Sequence, residues 1–394
     1  MQQLYLDNAS TSFPKPREVS DAVFQYMTGV GSNIGRGGYA SAYAAEETVF
    51  AARQLLCDFF GGDDPKNVVF TKNITESLNV LLRGLLHAGD HVLVSAMEHN
   101  AVMRPLQLLG HELAADEQPS AAAITFSRIP CDREGNLQLA YLPKLMRANT
   151  KAIIMTHASN VCGTLLPVAM VGAFCKEQGL FFILDSAQSA GLFPINMQEL
   201  GVDALAFTGH KGLLGPQGIG GFILREQVAP LLVGGTGSLS HTERTPGFMP
   251  DKFEAGTLNL PGIAGLAAGV GWLKERGLER IRAHELALTG QLLAGLATLE
   301  QQGLLSIVGR RDCEQRTSVV SIAHTHQDIA LVAYELAEKY GIATRVGLHC
   351  APNAHKTLGT YPTGTLRFSM GWHNTPEEVA VALQTLEEVL RHGV

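Results

Sequence analysis

The chain has 394 residues, of which 46% are hydrophobic and 17% charged, a balance that suits a soluble two-domain enzyme and excludes a disordered or coiled-coil chain. A formal net charge of -7 without a basic block gives no electrostatic support for binding nucleic acid or an anionic membrane surface. The most apolar long stretch, Pro261 to Leu273, is too short and too glycine-rich to span a bilayer and reads as a buried helix.

The chain opens with a short extended stretch, Tyr5-Leu6-Asp7-Asn8-Ala9, with no cationic segment leading into an apolar signal core. After Pro14-Lys15-Pro16 a helical pattern begins at about Glu18. Gly29 to Tyr39, with Asn33-Ile34-Gly35-Arg36-Gly37-Gly38 at its centre, reads either as an ordered loop near a ligand or as a plain connection. Ala42 to Phe60 predicts an amphipathic helix that ends at Gly61-Gly62.

From Val68 a repeated order sets in: an apolar run of strand length, a polar tip, then a helix. Val68-Val69-Phe70 leads to Thr71 through Thr75, Val92-Leu93-Val94 to Glu98-His99-Asn100, and Ala152-Ile153-Ile154-Met155 to His157 through Asn160. Phe181-Phe182-Ile183-Leu184 stops at Asp185-Ser186-Ala187-Gln188, and Ala204-Leu205-Ala206-Phe207 stops at Thr208. Runs apolar on both faces, alternating with helices, predict an α/β fold with a mostly parallel central sheet covered on both sides. Ligands of such sheets bind beyond the carboxyl ends of the strands, so His99, Asn160, Asp185, Gln188 and Lys211 are expected to converge. Gly234 to Gly256 is longer than a mere connection needs and is expected to reach a site or a partner subunit. The remainder alternates strand and helix as a smaller α+β C-terminal domain. The expected division is an N-terminal segment over 1–20 packing with the small domain, a large domain over 21–257 and a small domain over 258–394 that carries Cys350.

The chemistry centres on Lys211, in Thr208-Gly209-His210-Lys211-Gly212. A lysine that reacts with carbonyls must shed its proton at working pH, which a desolvated pocket favours; the plain alternative is a surface lysine in a glycine-rich turn. Asp185, a carboxylate at a strand end, needs a cationic partner, and a protonated pyridine nitrogen is one. Thr75 stands where a helix begins, so it can help bind a phosphate or simply cap the helix. His99 can lie over a flat ring and move protons, or be a structural histidine. Gln188, placed one helical turn after Asp185, can donate to a phenolate oxygen. A reactive lysine, an acid, a flat group and an anion cradle are together what pyridoxal 5'-phosphate requires. The six cysteines show no C-x-x-C pair and no zinc-like spacing, so no metal is expected, and a reducing cytoplasm in which a thiol stays free is.

Eight motifs in register, Tyr5-Leu6-Asp7-Asn8-Ala9, Thr75-Glu76-Ser77-Leu78-Asn79, Glu98-His99-Asn100, Ser159-Asn160-Val161-Cys162-Gly163, Asp185-Ser186-Ala187-Gln188, Thr208-Gly209-His210-Lys211, Phe253-Glu254-Ala255-Gly256-Thr257 and Arg345 through Pro352, resemble those of class V aminotransferase-fold cysteine desulfurases. The chain looks most similar to the SufS-like group, which includes selenocysteine lyases. The resemblance implies a homodimer of the fold-type-I pyridoxal-phosphate transferases in which Lys211 holds the cofactor as a Schiff base. It implies that Asp185 binds the ring nitrogen, Gln188 the phenolate oxygen, His99 the ring face, and Thr75, Thr208 and His210 the phosphate, with Thr257 reaching in from the other subunit. Asn160 and Arg367 would meet the carboxylate of L-cysteine, with Arg345 near them. Cys350 would take the sulfur as a persulfide, release alanine and pass the sulfur to an acceptor protein or thiol. His349 and Arg345 are expected to favour its ionised form.

Two departures from the SufS-like pattern stand out. Leu348 replaces a histidine common in that group, and Asn353-Ala354-His355-Lys356 replaces a short apolar stretch after Pro352. Three rivals stay open: a selenocysteine lyase, another class V aminotransferase-fold enzyme that uses no thiol, and a sulfur relay in which Cys350 only accepts and passes sulfur.

Overall fold

The computed structural model describes residues 3–35, 37–113, 123–226, 228–324 and 327–392; Arg36 of the expected glycine loop lies outside the described residues. The chain begins with a two-residue strand, β1 (Leu4–Tyr5), and then builds its main sheet from the apolar runs. These are β2 (Val68–Thr71), β3 (His91–Ser95), β4 (Gly110–Glu112), β5 (Ile124–Ile129), β6 (Thr150–Thr156), β7 (Phe181–Asp185), β8 (Ala204–Thr208) and β9 (Gly220–Leu224). Their spatial order is β2-β9-β8-β7-β6-β3-β5-β4. Neighbours are parallel except that β9 runs antiparallel to both β2 and β8. From β3 the chain moves outward to β5 and β4, whereas from β6 it moves the other way through β7 and β8. The direction of winding therefore reverses between β3 and β6, where a crevice opens beyond the carboxyl ends of the strands.

Helices cover both faces because each central strand is apolar on both. In chain order the described helices are α1 (Arg17–Gln25), α2 (Ala40–Phe60), α3 (Ile74–Leu85), α4 (Asn100–Leu109), α5 (Leu142–Leu145), α6 (Val168–Gln178), α7 (Leu260–Arg276), α8 (Leu278–Gln301), α9 (Ile329–Tyr340), α10 (Pro352–Leu358) and α11 (Pro376–His392). One core layer joins α2, α6 and α7 to the sheet through residues such as Leu56, Val171, Ile263, Leu266 and Phe207. The other joins α3 and α4 through Leu78, Leu82, Val102 and Phe126. Helix α2 stops at Gly61, which takes the left-handed conformation that a Cβ disfavours. The buried helix expected at Pro261 to Leu273 is α7. It follows residue 257 in sequence yet packs with α1, α2 and the large sheet, so in packing terms it joins the large part.

A second, antiparallel sheet, in the order β10-β11-β14-β13, is formed by β10 (Ser306–Val308), β11 (Val319–Ala323), β13 (Arg345–Gly347) and β14 (Thr365–Ser369). Helices α8, α9 and α11 close its core. The N-terminal segment belongs to this layer: β1 pairs with β12 (Ile342–Ala343), and the Ser369 N–H donates to the Leu6 carbonyl at 2.7 Å. In β13 and β14, Arg345 stands directly opposite Arg367.

Candidate active site

Lys211 follows the end of β8 and is half-buried, lining a cavity with Gln188. Two glycines set its position. A Cβ on Gly212 would lie 2.3 Å from the Ala190 carbonyl oxygen, and one on Gly191, at φ 87°, would lie 2.0 Å from the Gly212 carbonyl oxygen. The lysine turn and the turn after Asp185 therefore touch backbone to backbone, a contact no larger residue permits. The N-terminal segment clamps the same turn from outside. Ser12 N–H donates to the His210 carbonyl at 3.0 Å, Ser12 Oγ to the Lys211 carbonyl at 3.0 Å, and Lys15 Nζ to the His210 carbonyl at 2.7 Å.

Burial lowers the Lys211 amine to about 8; Arg367 and Arg345 push the same way, while Asp185 and Asp7 oppose them. Asp185 is fully buried, and desolvation raises its carboxyl against the Ala187 N–H, which donates to it at 2.9 Å, and against the charge of Lys211. Amine and acid thus lie close enough at this edge of the sheet to feel each other's charge.

Around Lys211, polar atoms are buried without partners. Thr208 Oγ1 and His210 Nδ1 make no hydrogen bond among the described residues. His210 is kept neutral, its ring lowered to about 4 by burial, Lys211 and Lys15. At the head of α3 the cap is Asn73, whose Oδ1 accepts the Glu76 N–H at 3.0 Å. Thr75 is therefore the second residue of the helix and not its cap; its exposed side chain lies in a groove shared with His99, Arg104 and Cys350. Gln188 lines the same cavity as Lys211, but it sits in a turn, not a helix, and its amide donates to the Ala9 carbonyl at 3.1 Å.

His99 caps α4: its Nδ1 accepts the Ala101 N–H at 3.0 Å, which places the ring proton on Nε2. Burial, then Lys211 and Arg104, lower it to about 4, so the ring is neutral at pH 7. The preceding Glu98 is fully buried at the tip of β3, accepting Ser95 Oγ and, at 2.9 Å, the Thr156 N–H. Desolvation raises it to about 8, so it is mostly protonated at neutral pH.

Arg367 on β14 is buried and held from two segments, the Asn160 turn and the N-terminal stretch. Nη1 donates to the Asn160 carbonyl at 2.9 Å, and Nη2 to Asp7 Oδ1 at 2.9 Å and Ser10 Oγ at 2.8 Å. Its Nε is buried and unpartnered. Arg345 donates to the same Ser10 oxygen at 2.8 Å, so the two guanidinium groups share one hydroxyl. The Asn160 side chain is turned to another task, donating to the His349 carbonyl at 2.6 Å.

Cys350 is exposed and lies on the turn that leads into α10. The Asn100 N–H at the head of α4 donates to its carbonyl at 2.7 Å, which ties the thiol turn to the helix that His99 caps. The expectation that His349 helps ionise the thiol is not met. His349 is buried, bonded through Nε2 to Thr365 Oγ1 at 2.9 Å, and lowered to about 2 by burial, Arg367 and His355, so it carries no charge. Thr257 is exposed and lines clefts beside Thr71, Lys72 and the loop that begins at Gly234, away from the Lys211 cavity of its own chain.

Sequence reasoning missed Asp7, Ser10, Glu98 and Lys15. Asp7 and Glu98 carried a usable signal, since each is a carboxylate at the end of an extended apolar run, the same cue that singled out Asp185. Ser10 and Lys15 had none: besides local bonds to Asp7 and Ser12, the contacts that bring them to the site are to arginine and main-chain groups remote in sequence.

A desolvated amine near a buried acid at the carboxyl edge of a doubly wound sheet, with a buried and an exposed arginine on the second sheet and an exposed thiol beside His99, define an α/β enzyme suited to lysine chemistry on a small anionic molecule. Comparison with known proteins gives that class a family. The aminotransferase class-V model matches residues 4–381, and the chain belongs to that family. It is 32% identical to a probable cysteine desulfurase of Methanothermobacter thermautotrophicus over 99% of this chain and 95% of that protein, and 32% identical to one of Pyrococcus abyssi over 98% and 94%. Among solved structures, the apo cysteine desulfurase of Thermococcus onnurineus superposes with a TM-score of 0.90 at 33% identity, covering 100% of this chain and 96% of that one. A cysteine desulfurase of Escherichia coli gives 0.84 at 28%, covering 100% and 96%.

Proposed function

We propose that this chain is a pyridoxal-phosphate-dependent cysteine desulfurase that works as a homodimer, takes sulfur from L-cysteine, releases L-alanine and hands the sulfur on from Cys350 to an acceptor protein or thiol. The observation that carries the reading is the pairing of a desolvated, neutralisable amine, Lys211, with a buried acid, Asp185, while an exposed cysteine shares a groove with His99, whose ring feels the charge of Lys211.

The residues present fit the cofactor. Asp185 has no protein cation in hydrogen-bonding contact and suits a pyridinium nitrogen; Thr208 Oγ1 and His210 Nδ1 are buried polar atoms in want of a partner, and with the head of α3 at Thr75 they suit a phosphate. Gln188 would meet the phenolate oxygen and His99 the ring face. When bound, the cofactor supplies an aldehyde for amines and a ring that withdraws electrons from a neighbouring carbon.

Lys211, at about 8, is poised to give up and take back a proton near neutral pH and serves as base at the substrate α-carbon. Arg367 would take the substrate carboxylate, using its free Nε and re-forming the bonds it makes to Asp7 and Ser10, with Asn160 and Arg345 beside it. His99, neutral and with its proton on Nε2, can donate that N–H as a hydrogen bond without bringing a charge into the crevice. Cys350 Sγ attacks the substrate sulfur: a sulfur–sulfur bond forms, the carbon–sulfur bond breaks, and the carbon keeps the electron pair and gains a proton. The balance is one thiol and one cysteine in, one persulfide and one alanine out.

The homodimer reading draws on an exposed apolar set, Phe24, Met27, Tyr43, Phe50, Leu232 and Val233, on α1 and the turn that follows it, on α2 and on the segment before the long loop. It would carry the exposed Thr257 to the phosphate of the partner's site. The division into an N-terminal segment over 1–20, a large part over 21–257 and a small part over 258–394 belongs to the same proposal, with α7 packing back on the large part. The test is to supply cysteine and selenocysteine separately and quantify alanine. Wild type should form alanine from cysteine, and Lys211→Ala should lose both the visible absorbance of the bound cofactor and all turnover. Sulfur transfer that continued unchanged in Lys211→Ala would favour a relay instead, and alanine from selenocysteine alone would favour a lyase.

A further inference from the structure

The segment Asn353-Ala354-His355-Lys356, in which this chain departs from the SufS-like pattern, has so far been given no task. It forms the body of α10, directly after the thiol turn. That turn has unusual backbone: His349 and Cys350 are consecutive non-glycine residues in the left-handed region, at φ 47° and 58°. Such a conformation persists only where the surroundings over-determine it.

Three backbone groups of the turn are visibly held. The Cys350 carbonyl accepts the Asn100 N–H at 2.7 Å, the His349 carbonyl accepts Asn160 Nδ2 at 2.6 Å, and the Ala351 N–H donates to the Leu348 carbonyl at 2.8 Å. These bonds fix the carbonyls. They leave the His349 side chain, the bulkiest group of the turn, to be fixed otherwise. On one side it bonds Thr365 Oγ1 at 2.9 Å; on the other it packs on His355, ring centroids 5.6 Å apart. His355 is completely buried, and Thr360 grips it twice, through Oγ1 to Nδ1 at 2.7 Å and through its N–H to the His355 carbonyl at 2.9 Å. Burial keeps both rings neutral, so they pack without repulsion although Arg367 and Arg345 lie near.

We propose that His355 is a positioning residue for Cys350: wedged against His349 and anchored by Thr360, it holds the thiol turn in its left-handed form and so aims the sulfur into the crevice. The inference rests on the reading of Cys350 as sulfur acceptor. It assigns to this chain's histidine a function that packing by an apolar side chain supplies only in part, since the ring is both wedge and hydrogen-bond partner.

Four variants separate the parts. His355→Leu removes wedge and bond, His355→Phe keeps an aromatic wedge, His355→Asn keeps a polar atom near the Nδ1 position, and Thr360→Val removes the anchor at a half-buried site where the fold is safe. Two readouts are taken on the holoenzyme: the rate of iodoacetamide alkylation of Cys350, read by mass spectrometry, and kcat and KM for alanine formation from cysteine. In His355→Leu the freed turn should raise alkylation several-fold and lower kcat by about tenfold or more, because a small misplacement of a reacting group is costly, while KM and the cofactor absorbance stay as in wild type. Thr360→Val should move both readouts the same way by less, and the Phe and Asn variants should fall between Leu and wild type. Unchanged alkylation and kcat in both His355→Leu and Thr360→Val would overturn the proposal, as would a fall in kcat matched by cofactor loss with no change in alkylation. Cysteine turnover that survived Cys350→Ser would sink the sulfur-acceptor reading instead, while the alkylation rates would still decide whether His355 braces the turn.

Discussion

Replacing Lys211 by Met keeps an unbranched side chain of similar reach and removes the charge, so it isolates what burial costs the amine. Moving that amine from its ordinary 10.5 to about 8 means the folded protein disfavours the ammonium by about 3 kcal/mol, at 1.36 kcal/mol per tenfold change in proton affinity. The sign follows from which state holds the proton. Below pH 8 both folded and unfolded chains are protonated and the full penalty applies. Between about 8 and 10.5 only the unfolded chain keeps the proton, so wild-type stability rises with pH; above 10.5 the penalty is gone. Cofactor-free Lys211→Met should therefore be more stable than cofactor-free wild type by up to about 3 kcal/mol at pH 7, with the gap closing towards pH 10.5. Paired urea denaturation at the two pH values reads this directly. A variant less stable than wild type at pH 7, or a gap indifferent to pH, would refute the claim that Lys211 is held in a desolvated crevice.

Other outcomes follow from the same geometry. Glu98→Gln should gain on wild type as pH rises from 4.5 to 8, because over that window the unfolded chain loses a proton that folded Glu98 keeps; equal stability curves at pH 5 and pH 8 would count against a neutral Glu98. Arg367→Lys keeps the charge but loses the fork, so KM for cysteine should rise by about tenfold with kcat largely spared; an unchanged KM in steady-state assays would remove Arg367 from the carboxylate site. Asp185→Asn should weaken cofactor retention on dialysis and lower the Lys211 amine further, since Asp185 is the larger of the two acids that hold it up; tight retention would show that the acid has no partner in the cofactor.

Much of the fold was legible because the central strands are apolar on both faces, a pattern with one solution, a covered parallel sheet; the tips at His99, Asn160, Asp185 and Lys211 then fell on one edge without further information. What stayed hidden was made by contacts far apart in sequence. β5, with Ile124-Thr125-Phe126-Ser127, is half polar by composition yet fully inside, because His91 from β3 bonds Ser127 and takes up its hydroxyl. The N-terminal segment was expected to pack with the small domain, but the individual contacts of Asp7, Ser10 and Lys15 with Arg367 and the lysine turn join groups far apart in sequence, which no local pattern announces. The neighbour effect assigned to His349 failed for a similar reason: adjacency to Cys350 in sequence said nothing of the burial that strips its charge. Thr75 was read as a helix start, correctly to within two residues, but its neighbour Asn73 had the better capping geometry.

The most direct test of the account follows sulfur and carbon together. Wild type and Cys350→Ser, both loaded with cofactor and given cysteine, are assayed for alanine and for the mass of the Cys350 peptide. The account predicts alanine and a one-sulfur gain on Cys350 in wild type, and neither in Cys350→Ser although its cofactor absorbance is intact. Alanine formed as fast by Cys350→Ser as by wild type would contradict it.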